Sequence, residues 1–196
     1  MPRTPEANQL VASRRREEIT QVASQLFIQF GYDNVRITDI AEKIGISQGL
    51  LYRYFSDKEG LFAAIVEKGV AEVRLVINSP DRTEESATTW LIMFIEKMLG
   101  SIYQNPQRLQ VLLIGARFPG RILELVNSSF EELRVYTIKL IVEAQEEGII
   151  VDEDPFLLAG LLLSTLQGIA FGIVHFASYQ GKLMPTAKQV FRIIRR

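Results

Sequence analysis

In the run ITDIAEKIGISQGLLYRYF, from Ile37 to Phe55, helical spacing puts Leu51 and Phe55 on one face and leaves Gln48, Gly49, Leu50 and Arg53 facing outward. That division suits a helix that buries one face and offers the other to base-pair edges in a major groove. Gln can pair bidentately with adenine and Arg with guanine. Leu50 can touch a thymine methyl, and Gly49 lets the backbone come close. Ser47, Tyr52, Tyr54 and Lys58 can donate to phosphates, which fixes position but reads no sequence. The alternative is two plainly packed helices, with the tyrosines half-buried and their hydroxyls wet.

Other chemistries find fewer residues to use. The chain has one histidine and no cysteine. Disulfides, thiolate metal sites and Cys nucleophiles are therefore excluded, and His175 cannot join a multi-His metal site. No Gly-rich phosphate loop and no G-x-S-x-G is present, so no nucleophile–base pair can be proposed. Glu146-Glu147 and Asp152-Glu153-Asp154 are acidic, but they flank a turn and precede a helix start, where the macrodipole favours negative charge. The expectation is a protein that is not an enzyme and has no metal or other cofactor.

The elements that must hold Gln48 and Arg53 in place are helical. Residues 38–44 make two turns with Ile40, Ala41 and Ile44 on one face, and Gly45 stops them in a left-handed conformation. Ser47 caps a second helix, Gln48–Phe55. Two short helices joined by a tight glycine turn form a helix-turn-helix, too small to bury its own apolar face. The chain supplies a partner on each side. A helix over 13–30 carries Ile19, Val22, Ala23, Leu26, Phe27 and Phe30 on one face. Ser56-Asp57-Lys58-Glu59 has capping-box form and opens a helix over 57–77. Residues 1–12 read as a flexible tail. Arg14–Arg16 can reach DNA as an arm or be a solvated helix start, and Glu17 and Glu18 weaken the basic patch.

Further on, Asn78-Ser79-Pro80-Asp81 breaks the helix and marks a boundary. Helices follow over about 82–104, from Asn105-Pro106 to Phe118, over 121–147 (in one or two pieces), over 155–179, and from Met184-Pro185 onward. No strand run, repeat or low-complexity tract is seen. The fold class is all-α, with about nine helices. The domains are a tail (1–12), a helix-turn-helix domain (13–56), a connecting helix (57–78) and a helical domain (79–196).

The run GYDNVRITDIAEKIGISQGLLYRYFSDKEGLFAAI resembles the DNA-binding region of the TetR/AcrR (tetracycline-repressor-like) family of bacterial regulators. Phe27, Gly31, Asp39-Ile40-Ala41, Gly45-Ile46-Ser47, Gly49, Leu51-Tyr52, Tyr54-Phe55 and Lys58-Glu59 fall on the family's pattern in order and without gaps. The resemblance covers roughly residues 15–65. It implies a homodimer that binds a palindromic operator on double-stranded DNA and usually represses. It places Thr38, Gln48, Gly49, Leu50 and Arg53 at bases, and Ser47, Tyr52, Tyr54 and Lys58 at phosphates. Two positions depart from the pattern. Arg36 stands where Thr or Ser usually caps the helix; it cannot cap in that way but can reach a phosphate itself. Tyr54 stands where His is common, and it keeps a donor while losing the ionisable ring.

For the second half the resemblance implies a helical domain with a ligand cavity and a two-helix contribution to a dimer. Aromatic and Met side chains around a few polar groups suit a small hydrophobic effector. The candidates are Trp90, Phe94, Met98, Tyr103, Phe118, Tyr136, Phe171 and His175, with Gln167 and Arg117 as polar partners. A packed core is the competing reading of each. From Pro155 to Gly181 no residue is formally charged with His175 neutral. On length the segment is a membrane-span candidate. Ser164, Gln167 and His175 interrupt it, however, and basic residues do not cluster at its ends. Gly160, Ser164, Gly168 and Gly172 form a smooth ridge that lets another helix approach closely. The expectation is no membrane, and a four-helix dimer bundle in which Val190 and Ile194 of the last helix join that ridge. A net charge of −1 argues against coating nucleic acid nonspecifically but not against a specific reader. The expected location is the cytoplasm, on the nucleoid when bound to DNA.

Overall fold

The structure, a computed structural model, describes residues 5–78 and 86–196. Among them are nine α-helices, one short 3₁₀ turn and an isolated antiparallel bridge between Ile150 and Arg195. The all-α expectation is met. The chain divides into two compact units, residues 1–68 and 69–196. The expected break at Ser79–Asp81 and the expected helix start at Arg82 lie outside the described residues.

The first unit holds α1 (Pro5–Phe30), α2 (Ile37–Ile44), α3 (Gln48–Tyr52) and the first half of α4 (Lys58–Ile77). α1 begins at Pro5, so residues 5–12 are helical and not the expected tail. Proline fits a first turn, where its missing N–H costs nothing. Glu6, Ala7, Gln9, Leu10 and Ala12 are good helix formers, so nothing stops the helix from extending backward. Ile19, Ala23 and Phe27 of α1 are buried against Ile40 and Ala41 of α2, Leu51 and Phe55 around α3, and Leu61, Phe62 and Ile65 of α4. Phe27, Tyr32 and Phe62 form a ring cluster with centroids 5.0–5.6 Å apart. Phe30, expected on the same face, is exposed; Phe27 fills the ring cluster instead.

Gly45 ends α2 at φ +77°, and the Ile46 N–H reaches back to the Ala41 carbonyl at 3.0 Å. A side chain there would strain that left-handed turn. The Ser47 hydroxyl accepts from the Leu50 N–H at 3.2 Å and caps α3. α3 ends at Tyr52, with Arg53 and Tyr54 in a turn, shorter than the expected 48–55. At α4 the cap is Asp57, not Ser56. Its carboxylate accepts from the Gly60 N–H at 2.6 Å, while the Ser56 hydroxyl donates to Asp57.

The second unit holds the rest of α4, then α5 (Ala87–Gln104), α6 (Gln107–Gly115), α7 (Arg121–Glu146), α8 (Pro155–His175), the 3₁₀ turn Ala177–Tyr179 and α9 (Ala187–Phe191). α7 is one unbroken helix. The core joins Leu91, Ile95 and Leu99 of α5 to Leu140 and Ile141 of α7, Leu162 and Leu166 of α8, and Val190 and Phe191 of α9. α8 stops at His175, short of the expected Tyr179, because Phe176 is extended and the chain folds back. There the Tyr179 ring lies so close to Gly172 that an added Cβ would sit 2.9 Å from it. α9 is a five-residue helix capped by Thr186 and Gln189, after which Val151 N–H bonds the Ile194 carbonyl at 3.1 Å.

The start of α5 is held from the far end of α7. The Glu147 carboxylate accepts from the Ala87 N–H at 2.5 Å, the Thr88 N–H at 3.1 Å and the Thr88 hydroxyl at 2.5 Å. Those bonds, the Thr88 hydroxyl first, hold its pKa below the usual 4.5. A carboxylate lowered on folding stabilises above its unfolded pKa and loses that contribution as pH falls through the folded value. Glu147→Gln should therefore destabilise the chain at neutral pH and flatten the acid limb of its stability curve below about pH 4.5. Urea melts of both chains at a series of pH values measure this.

Candidate nucleic-acid interface

Leu51 and Phe55 are buried, and Gln48, Gly49 and Arg53 are exposed, as a helix with one reading face requires. Leu50 and Tyr54 are half-buried, and Tyr52 is 45% exposed. Nothing lies within 4 Å of a Cβ placed on Gly49, so packing within the chain gives no reason for a glycine there. Gln48 Nε2 points at Tyr52 Oη from 3.5 Å, a long contact along the exposed face.

A shallow cleft of about 350 Å³ opens where the N-terminal ends of α2 and α3 meet the start of α4. Val35 and Ile37 form its floor, and Arg36, Thr38, Gln48, Tyr52 and Lys58 line it. Five residues expected at DNA therefore share one depression. Ser47, Gly49, Leu50, Arg53 and Tyr54 lie outside it. The Arg36 side chain is 81% exposed. It precedes a helix N-terminus, where free N–H groups and the macrodipole attract anions. A guanidinium has no acceptor, so Arg36 cannot cap α2. Asp39 does so from inside: its carboxylate accepts from the Arg36 N–H at 2.7 Å, and that bond lowers its pKa.

Two cations hold the reader together from outside it. Lys58 Nζ donates to the Tyr32 carbonyl at 2.8 Å and the Val35 carbonyl at 2.9 Å, and stands 4.1 Å over the Tyr32 ring. Lys58 is thus a structural tie between α4 and the connector before α2, as well as a cation at the cleft. Arg16 donates to the Tyr54 carbonyl at 2.7 Å and covers the Phe55 ring at 4.1 Å. Arg15 pairs with Glu18 at 2.6 Å. Arg14–Arg16 are therefore part of α1 and not an arm. These structural roles of Tyr32, Asp39 and Arg16 were not assigned from the sequence. Only Asp39, three residues after the cap position, carried a local signal.

In the second unit a cavity of about 250 Å³ is lined by residues of α4 to α8. Of the ten residues expected around a ligand, Met98 and Gln167 line it. Phe94 is core and meets Tyr136 edge-on at 5.5 Å. The Tyr103 hydroxyl donates to the Pro185 carbonyl at 2.6 Å. Trp90 is half-buried, and its Nε1 has no partner among the described residues. Arg117 is exposed beside half-buried Phe118 at the α6–α7 corner. Phe171 and His175 stack at 4.3 Å on the surface, because α8 turns that face outward.

Of the expected dimer residues, Gly160, Ser164 and Gly168 are exposed. Gly172 is covered by Tyr179 and Leu183 of its own chain. Val190 and Ile194 are 3% and 0% exposed, since α9 turns its apolar face onto the core of its own unit. α8 is the one helix among the described residues that is long and apolar enough to cross a membrane.

Residues 19–65 match the bacterial regulatory proteins of the tetR family. Over those residues, about a quarter of the chain, it carries that family's DNA-binding domain. Like that family's members it is a DNA-binding transcriptional regulator with an N-terminal helix-turn-helix. It is 35% identical over 65 residues to the HTH-type transcriptional repressor AcnR of Corynebacterium diphtheriae, a match over 33% of this chain and 34% of that protein. Over 188 residues it is 28% identical to the nucleoid occlusion factor SlmA of Salmonella paratyphi B, covering 91% of this chain and 90% of the relative. The fold is shared with AibR, whose structure in complex with isovaleryl coenzyme A and operator DNA has a TM-score of 0.68 at 18% identity, over 90% of this chain and 93% of that one.

Lys58 separates structure from binding. Lys58→Met should cost roughly 1–3 kcal/mol of stability, because it leaves two carbonyls short of a donor. Chemical denaturation in the absence of DNA measures that cost directly.

Proposed function

We propose that the chain is a homodimeric repressor of a palindromic operator, released when a small hydrophobic ligand enters the second unit. The observation that carries the DNA reading is the shared cleft: Arg36, Thr38, Gln48, Tyr52 and Lys58 converge beside an exposed α3 face. In this reading Thr38, Gln48, Gly49, Leu50 and Arg53 meet bases. Arg36, Ser47, Tyr52, Tyr54 and Lys58 meet phosphates. Ser47 spends its acceptor on the α3 cap but keeps an O–H to donate. The protein then acts in the cytoplasm, on the nucleoid when bound.

The dimer surface is the outer face of α8. Phe156, Leu157, Leu161 and Phe171 are exposed there around Gly160, Ser164 and Gly168. Val135 and Val142 of α7 are exposed as well, and α7 replaces α9 as the second helix of the proposed bundle. An exposed apolar face of this kind marks an association surface. Ligand control is supported by the cavity and by AibR, whose structure holds both isovaleryl coenzyme A and operator DNA. A ligand releases DNA only to the extent that it prefers the state with the wrong reader spacing.

A second reading has one observation in its favour. The match to a nucleoid occlusion factor spans nearly the whole chain, so the dimer could bind DNA without any ligand. Calorimetry with a panel of hydrophobic metabolites separates the two, because only the first reading expects binding and operator release.

Selection of bound sequences from random DNA should return a palindrome with half-sites about 34 Å apart or a multiple of that. On the selected operator, Gln48→Ala or Arg53→Ala should cost about 1–3 kcal/mol and relax preference at particular base pairs. Equal losses on random DNA would refute base reading. Ser164→Arg should give a monomer in sedimentation that no longer holds the operator. A dimeric Ser164→Arg chain would refute the α8 surface.

A further inference from the structure

The second-unit cavity has an uneven lining. Its walls are mostly apolar, from Met98, Leu109, Leu112, Phe130 and Leu163 among others. Its charged lining residues are Arg108 and Arg134, and no Asp or Glu lines it. Of the two arginine side chains Arg108 is the more enclosed, 22% exposed against 35% for Arg134. Arg108 sits at the α5–α6 corner, where its Nη1 donates to the Ser101 hydroxyl at 2.8 Å, and both Ser101 and Asn105 also line the cavity. The polar groups on that wall are thus gathered around one guanidinium.

Arg108 is also paired with Glu72 of α4 through its Nε. The next residue of α4, Val73, lines the cavity itself. One turn earlier, Gly69 brings α4 so close to α6 that an added Cβ would lie 3.1 Å from Leu112 and 3.7 Å from Arg108. Arg108 is therefore shared between the cavity and the α4–α6 seam.

We propose that the effector is a small amphiphilic anion, its apolar body in the cavity and its carboxylate on Arg108, taken in exchange for Glu72. This rests on the ligand-controlled reading above. A guanidinium fork matches a carboxylate bidentately, and a partly enclosed pair is stronger than one in open water. The exchange keeps the guanidinium neutralised while Glu72, already 24% exposed, turns to solvent. A cationic ligand would meet two arginines, whose partners Glu72 and Glu131 lie outside the lining. At about 30 Å³ per water-sized atom, the cavity of about 250 Å³ encloses roughly eight non-hydrogen atoms, close to the size of a medium-chain fatty acid.

Titration calorimetry of the full chain with octanoate and, in parallel, octanamide tests this. Octanoate should bind about tenfold more tightly than its neutral isostere, the worth of one charge-assisted contact. Arg108→Gln should bring the two to within about twofold, with circular dichroism confirming the fold. Glu72→Gln removes the competitor. It should tighten octanoate severalfold and leave octanamide unchanged, a result that loss of a merely structural ion pair would not give. If Arg108→Gln does not fold, Glu72→Gln decides alone. Equal binding of acid and amide by the unmodified chain overturns the anionic head group and leaves ligand control standing. Failure of hexanoate, octanoate and decanoate alike overturns the anion assignment, whereas ligand control itself falls only if the wider panel also leaves the operator bound.

Discussion

A helix of five residues does not hold its shape in water, because nucleation costs more than so few hydrogen bonds return. α3 is such a helix. Everything it presents to a partner therefore depends on being held from outside. Ser47 closes its first turn, Leu51 and Phe55 anchor its inner face, and Arg16 takes the Tyr54 carbonyl just past its end. The outer face is then left with little to do inside the chain. A side chain at Gly49 would touch nothing in the chain, and Gln48 makes a long contact to Tyr52.

The same dependence on distant partners appears at the other helix starts. Asp39 and Asp57 cap α2 and α4 from nearby, but the start of α5 is held by Glu147, about sixty residues along the chain. α4 is tied twice in the second unit, to α6 through Glu72–Arg108 and to α7 through the bidentate Arg74–Glu132 pair at 2.7 and 2.8 Å. Exposed pairs such as Arg74–Glu132 contribute little stability. Their value lies in register, since they fix which turn of α4 faces which neighbour.

What was legible in the sequence was local. The left-handed Gly45, the Ser47 cap and the Leu51–Phe55 spacing are each read within five residues, and they gave the helix-turn-helix and the all-α class. Helix ends set by competition were less visible. Residues 5–12 join α1 because nothing opposes them, and α8 stops early because Tyr179 folds onto Gly172. Contacts across long separations left no trace at all: Lys58 to Tyr32, Arg16 to Tyr54 and Glu147 to Thr88. The cavity was the least legible feature. Aromatic residues were the natural candidates for its wall, yet Phe94 and Tyr136 pack into one another. The wall is largely aliphatic, with its polar corner on Arg108, whose i, i+3 and i, i+7 relations to Asn105 and Ser101 cross a helix break.

The partners of Arg16 and Lys58 are carbonyl dipoles and aromatic faces, not carboxylates. Mobile ions in the buffer compete poorly for such short contacts to neutral partners, while they compete directly for phosphates. Brine therefore loosens a bound duplex from this protein long before it disturbs the scaffold that grips it, and material washed free of nucleic acid in concentrated salt keeps its reading surface ready for use.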